Sequence, residues 1–99
     1  VSDLANGIIF VMESEKAVNQ DFNIADPNPI SMIDLAKLLW RVMDQKKPFK
    51  VKYVKGFEFD IKRRIPDTSK IKNILGWKTK IPFEEGLKEV VEWIGKNYE

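Results

Sequence analysis

The residues with the clearest capacity for chemistry are three consecutive cations, Lys62, Arg63 and Arg64. A guanidinium presents a planar fork of N–H donors, so Arg63 and Arg64 in succession can grip a phosphate or diphosphate bidentately. They stand in a stretch, 56–68, with no clean hydrophobic period, which contains Pro66 and mixes Phe57 and Phe59 with Glu58 and Asp60. Binding residues concentrate on irregular connections of this kind. A competing use of the same region is single-stranded nucleic acid, with Tyr53, Phe57 and Phe59 as stacking platforms among the lysines. The net charge of only +2 and the lack of any RNP, KH or helix-turn-helix pattern argue against nucleic acid. Lys50, Lys52 and Lys55 by themselves read as the solvated face of a regular element.

Catalysis finds far less support. The chain has no Cys and no His, which removes disulfides, thiolate metal ligands, a Cys nucleophile and the commonest general base. No metal site is expected. There is no Gly-x-Gly-x-x-Gly turn, P-loop, Gly-x-Ser-x-Gly elbow or His-Glu-x-x-His. A Tyr with Lys four residues on is missing as well: Tyr53 is followed at that distance by Phe57. The acidic pairs Glu84-Glu85 and Glu89-Glu92 fall on the polar side of an amphipathic pattern, where water is a sufficient partner. No catalytic residue is assigned, and a self-sufficient enzyme is not expected.

Regular elements must hold the basic stretch in place. Leu4, Ile8, Ile9 and Met12 form a helical stripe behind Ser2, and Ile33, Ala36, Leu39, Trp40 and Met43 form a stronger one behind a Ser31/Asp34 capping box. Ile71, Ile74 and Leu75 predict a short helix entered at Thr68 or Ser69 and closed by Gly76 in the left-handed conformation. Asp67, Ser69 and Lys70 at that entrance read as structural. Pro82 introduces a last helix carrying Phe83, Leu87, Val90, Val91 and Ile94. Between these, Phe22 and Ile24 alternate with polar neighbours, as do Phe49, Val51 and Tyr53, and both runs predict short strands. Two strands separated by one helix can pair in parallel through a crossover, although two strands alone make a poor sheet. The expected class is therefore α/β, with about four helices and two short parallel strands.

With 99 residues, 43% hydrophobic and 32% charged, the chain suits a single domain over 1–99. The charge is unevenly placed. Residues 1–34 carry one Lys against six acids, whereas 35–80 carry fourteen Lys or Arg against four. No apolar run reaches the roughly 18 residues of a membrane helix, so a soluble, cytoplasmic protein is expected. Helical periodicity begins almost at Val1 with no initiator Met, which suggests a piece of something longer. In that case the first helix exposes apolar positions such as Ile8 and Phe10, a surface that could also serve a protein-interaction domain. Trp40, Trp77 and Trp93 lie within or beside apolar stripes and are assigned to packing.

Several segments in order, Asp21-Phe22-Asn23-Ile24-Ala25, Ile30 to Ala36, Asp67-Thr68-Ser69-Lys70, Leu75-Gly76-Trp77 and Phe83-Glu84-Glu85-Gly86-Leu87, carry a family likeness. Together they resemble the C-terminal, substrate-binding part of the extended short-chain dehydrogenase/reductases, the NAD(P)-dependent nucleotide-sugar epimerases and dehydratases. The resemblance implies a small domain packed on its own N-terminal Rossmann domain. That missing half would bind NAD or NADP and carry the Tyr-x-x-x-Lys catalytic pair, leaving this portion inactive alone. The implied ligand is a nucleotide-diphosphate sugar, and homodimers are common in the family. Asp60 matches a position that contacts the nucleotide ribose. Many members place a diphosphate-binding Arg three residues earlier, where this chain has Phe57. The phosphate then falls to Arg63 or Arg64, with stacking of Phe57 on the base as the other way to use that position. Epimerase, dehydratase and decarboxylase remain open.

Overall fold

The computed structural model describes residues 1–98. Its elements are α1 (Ser2–Glu13), a 3₁₀ turn (Glu15–Ala17), α2 (Met32–Val42), α3 (Ser69–Leu75) and α4 (Phe83–Asn97). The chain divides into two compact units, each built from two segments: Val1–Pro29 with Ile65–Pro82, and Ile30–Arg64 with Phe83–Glu99.

In the first unit the apolar core gathers around Ile71, 1% exposed, and Trp77, 6% exposed, with Ala17 from the 3₁₀ turn. Gly7 lets α1 approach this core closely. A Cβ at that position would lie 2.8 Å from Ile24 Cγ2 and 2.9 Å from Trp77 Cζ2, so only a hydrogen fits. Polar anchors tie distant parts of the chain together. The half-buried Asp3 carboxylate accepts from the backbone N–H groups of Lys80 (3.0 Å) and Ile81 (2.9 Å) through one oxygen. The Asn23 side-chain amide donates to the Asp67 carbonyl at 3.1 Å. α3 ends as its sequence requires: Gly76 takes φ 70° and ψ 15°, and its N–H donates to Lys72 O at 2.9 Å.

The second unit packs α2 against α4. Ser31 caps α2, its hydroxyl oxygen accepting from the Asp34 N–H at 3.2 Å. Asp34 does not complete the usual box. Its short side chain instead accepts the Ser31 hydroxyl proton at 2.7 Å. Arg41 reaches Glu84 on α4 at 3.0 Å, an exposed pair that contributes little stability. Trp40 donates its indole N–H to Lys47 O (2.9 Å) and meets Phe49 edge-on with ring centroids 6.1 Å apart.

The expected α/β class is overturned. All four helices form, but neither 21–24 nor 49–55 is a strand, and the described residues contain no sheet. A strand gains most of its stability from a laddered neighbour, and a lone pair is marginal in water. Here the alternating apolar residues are satisfied by helices instead. Ile24 lies against Gly7 of α1, Phe22 lies beneath the Lys70 ammonium, and Phe49 lies against Trp40 of α2. Val51 and Tyr53 find no such partner and remain exposed.

Candidate functional site

The four residues singled out for ligand binding all lie in the second unit, within a segment, 50–64, in which every residue is exposed. It carries six cations (Lys50, Lys52, Lys55, Lys62, Arg63 and Arg64) and two acids (Glu58 and Asp60). Its local order is one turn, closed by the Asp60 N–H donating to Phe57 O at 3.3 Å. That turn brings Phe57 and Asp60 to its two ends and holds Phe57 and Phe59 open to solvent, 89% and 93% exposed. Arg63 and Arg64 follow on the same exposed run. With at most about 3.6 Å of chain per residue, Arg63 lies within about 11 Å of Asp60 along the backbone. Among the described residues, Asp60, Arg63 and Arg64 take part in no ion pair.

The residues flanking this segment on either side are held by tertiary contacts that local sequence pattern does not signal. On the N-terminal side Trp40 holds Lys47 and Phe49, as described above. On the C-terminal side, in the first unit, Asp67 is held by Asn23 and organises the start of α3. Thr68 stands at the N-cap without a capping bond, and it is the Asp67 carboxylate that accepts from the Ser69 N–H at 2.9 Å. Hydrogen bonding from the side chain and backbone of Ser69 lowers the Asp67 pKa below the ordinary carboxylate value. Lys70 donates to Asp21 at 2.8 Å while its ammonium sits 5.2 Å from the centre of the Phe22 ring. The hydrogen bond from Lys70 is the main reason that the Asp21 pKa is also lowered. Asp67, Ser69 and Lys70 therefore have structural tasks, as their place at a helix entrance suggests. The signal that could have found the Asp21–Lys70 contact is tertiary, since 49 residues separate the partners.

The first unit also contains an open cleft of about 220 Å³ that includes Thr68, Ile71, Lys72, Trp77 and Lys78 in its lining. It contains none of the four residues assigned to ligand binding. No group of His, Cys, Asp and Glu suited to a metal ion occurs among the described residues. Glycines occur at 7, 56, 76, 86 and 95, too far apart to form a Gly-x-Gly-x-x-Gly turn.

Comparison with known proteins decides the family. A family model described as GDP-mannose 4,6 dehydratase matches residues 1–90. The chain belongs to this family. Its place in the extended short-chain dehydrogenase/reductases, inferred from the motif order, is thereby upheld. The dehydratase-family chain is 31% identical over 99 residues to UDP-glucuronic acid decarboxylase 1 of Xenopus tropicalis, covering 100% of this chain and 23% of the relative. It is 34% identical over 92 residues to UDP-glucuronic acid decarboxylase 4 of Arabidopsis thaliana, covering 93% of this chain and 20% of the relative. The chain thus spans about a fifth to a quarter of the length of these curated relatives. No helix among the described residues is long and apolar enough to cross a membrane.

Proposed function

We propose that this chain is the nucleotide-sugar-binding portion of an NAD-dependent nucleotide-sugar dehydratase or decarboxylase. The family match over residues 1–90 carries this reading. The exposed cations of 50–64, which form no ion pair among the described residues, support it. In this reading Arg63 and Arg64 hold the diphosphate through charge-assisted hydrogen bonds. Asp60, three residues away, accepts hydrogen bonds from the ribose hydroxyls. Phe57, at the other end of the turn, offers its ring to the base. NAD supplies the hydride chemistry when bound, and both its binding and the catalytic groups belong to a Rossmann half outside these residues. The exposed apolar positions of α1, Ile8 at 46% and Phe10 at 43%, suit contact with that half.

The relatives are UDP-glucuronic acid decarboxylases by name, which makes UDP-glucuronic acid the first substrate to test. Replacing both Arg63 and Arg64 with Ala in the full-length protein should raise the substrate Kd or KM by about tenfold or more, because a lost charge-assisted hydrogen bond costs roughly 1.5 to 3 kcal/mol. NAD affinity should stay unchanged. An unaltered substrate constant would remove the assignment. Binding of a single-stranded oligonucleotide that weakens steeply with salt, with no response to any nucleotide sugar, would transfer the loop to the competing use.

A further inference from the structure

We propose that Asn23 is a positioning residue for the nucleotide diphosphate: by holding the Asp67 carbonyl, it sets the direction from which the chain presents Arg64. The proposal rests on the reading of Arg64 as a diphosphate contact, and adds to it a residue, distant in sequence, that acts on the ligand only through that side chain.

Asn23 and Asp67 are 44 positions apart, and the Asn23 side-chain amide donates to the Asp67 carbonyl at 3.1 Å. Asp67 is held at a second point, its carboxylate accepting from the Ser69 N–H at 2.9 Å. The same two stretches of chain meet again where Lys70 donates to Asp21 at 2.8 Å, with its ammonium 5.2 Å from the centre of the Phe22 ring. Residues 21–23 and 67–70 are therefore joined twice, by one donor from each stretch. Both hydrogen bonds are exposed, and water competes for their partners, so neither adds much net stability. Their joint effect is a constraint on the orientation of Asp67.

That constraint reaches Arg64 through a short, stiff connection. Only Ile65 and Pro66 separate Arg64 from Asp67. The pyrrolidine ring fixes φ of Pro66 at about −65°, and its clash with the preceding residue keeps Ile65 extended. Pro66 is also half-buried. With two successive residues so restricted, the backbone direction at Arg64 follows from the orientation of Asp67. A guanidinium grips phosphate oxygens through directed N–H donors, so a displacement of roughly 1 Å at its root costs affinity.

The test is a double-variant cycle in the full-length protein, read by calorimetric titration with the tightest binder among UDP, GDP, dTDP and CDP. Asn23→Ala should raise the nucleotide Kd by about two- to tenfold, the range that one net hydrogen bond covers, and leave the NAD Kd unchanged. Arg64→Ala should raise the nucleotide Kd as well. Adding Asn23→Ala to Arg64→Ala should have no further effect, because the positioned side chain is already gone. A general role in folding would instead give equal losses in both backgrounds. Pro66→Gly leaves the Asn23–Asp67 bond in place but loosens the connection, and should reproduce the loss seen with Asn23→Ala; it also serves if Asn23→Ala does not fold. An unchanged nucleotide Kd in Asn23→Ala, or in Pro66→Gly, would overturn the proposal. So would equal losses with and without Arg64, and each of these results would leave Arg64 at the diphosphate. If Arg64→Ala itself leaves nucleotide binding unchanged, or if none of the four nucleotides binds, the site assignment and the positioning role fall together.

Discussion

The two units of this chain solve the same problem of stability by different means. The first buries Ala17, Ile71 and Trp77, closes Gly7 against an indole, and ties residues more than 40 positions apart with Asp3, Asn23 and Lys70. The second fully buries no side chain among its described residues and relies on the half-buried faces of α2 and α4. It also carries the long exposed segment 50–64. Close packing penalises any change of shape, whereas an unpacked segment can change freely. The first unit is thus the more closely packed of the two.

The sharpest way to break this comparison is to remove Trp77. Trp77→Ala should destabilise the protein by about 3 to 5 kcal/mol, as expected for truncating a buried aromatic. A denaturant midpoint that barely moves would show that the first unit has no true core. Glycine substitutions of opposite sign come next. Gly7→Ala gains helix propensity but forces a methyl onto Ile24 and the rigid Trp77 ring, so a net loss of about 1 to 2 kcal/mol is expected. Gly95→Ala in α4 meets nothing within 4 Å and should raise stability by up to about 1 kcal/mol. If thermal melts of the two variants shift in the same direction, the difference in packing between the units is not real.

A smaller effect concerns acid. Asp21 and Asp67 both have pKa values lowered in the folded protein. Their contribution is therefore fully present above the unfolded carboxylate value of about 4 and disappears as pH falls below it through the folded values. Asp21→Ala and Asp67→Ala should lower stability near neutrality. Their deficit relative to wild type should shrink below about pH 4, measured by urea unfolding across the range. A deficit that is constant with pH would point to lost packing instead of lost charge. The smallest effect belongs to the exposed segment 50–64. Phe57→Ser should change stability by no more than about 0.5 kcal/mol, because its ring contacts no core. A large loss there would mean that this segment is part of the packed fold.

Much of this was legible in the residues. The stripes on α1, α2, α3 and α4, the Ser31 cap and the left-handed Gly76 are local signals, set within a few positions of chain by helix geometry and capping chemistry. The order of short motifs pointed to the family. The basic loop stood out because Arg63 and Arg64 follow a stretch with no period. The two alternating runs are not strands because alternation marks residues that want half-burial without saying what will bury them. For Phe22, Ile24 and Phe49 the covering groups came from helices and a lysine, and for Val51 and Tyr53 none came at all.

By itself, then, the sequence determined where helices begin and end and where cationic groups cluster. Only the tertiary structure decided that Asp3 would anchor Lys80 and Ile81, that Gly7 would be the contact point of α1, and that 50–64 would stay uncovered. The physical reason is one of range. Backbone propensity and capping act over one or two turns, whereas burial and long-range hydrogen bonds depend on which distant segments the folded chain brings together.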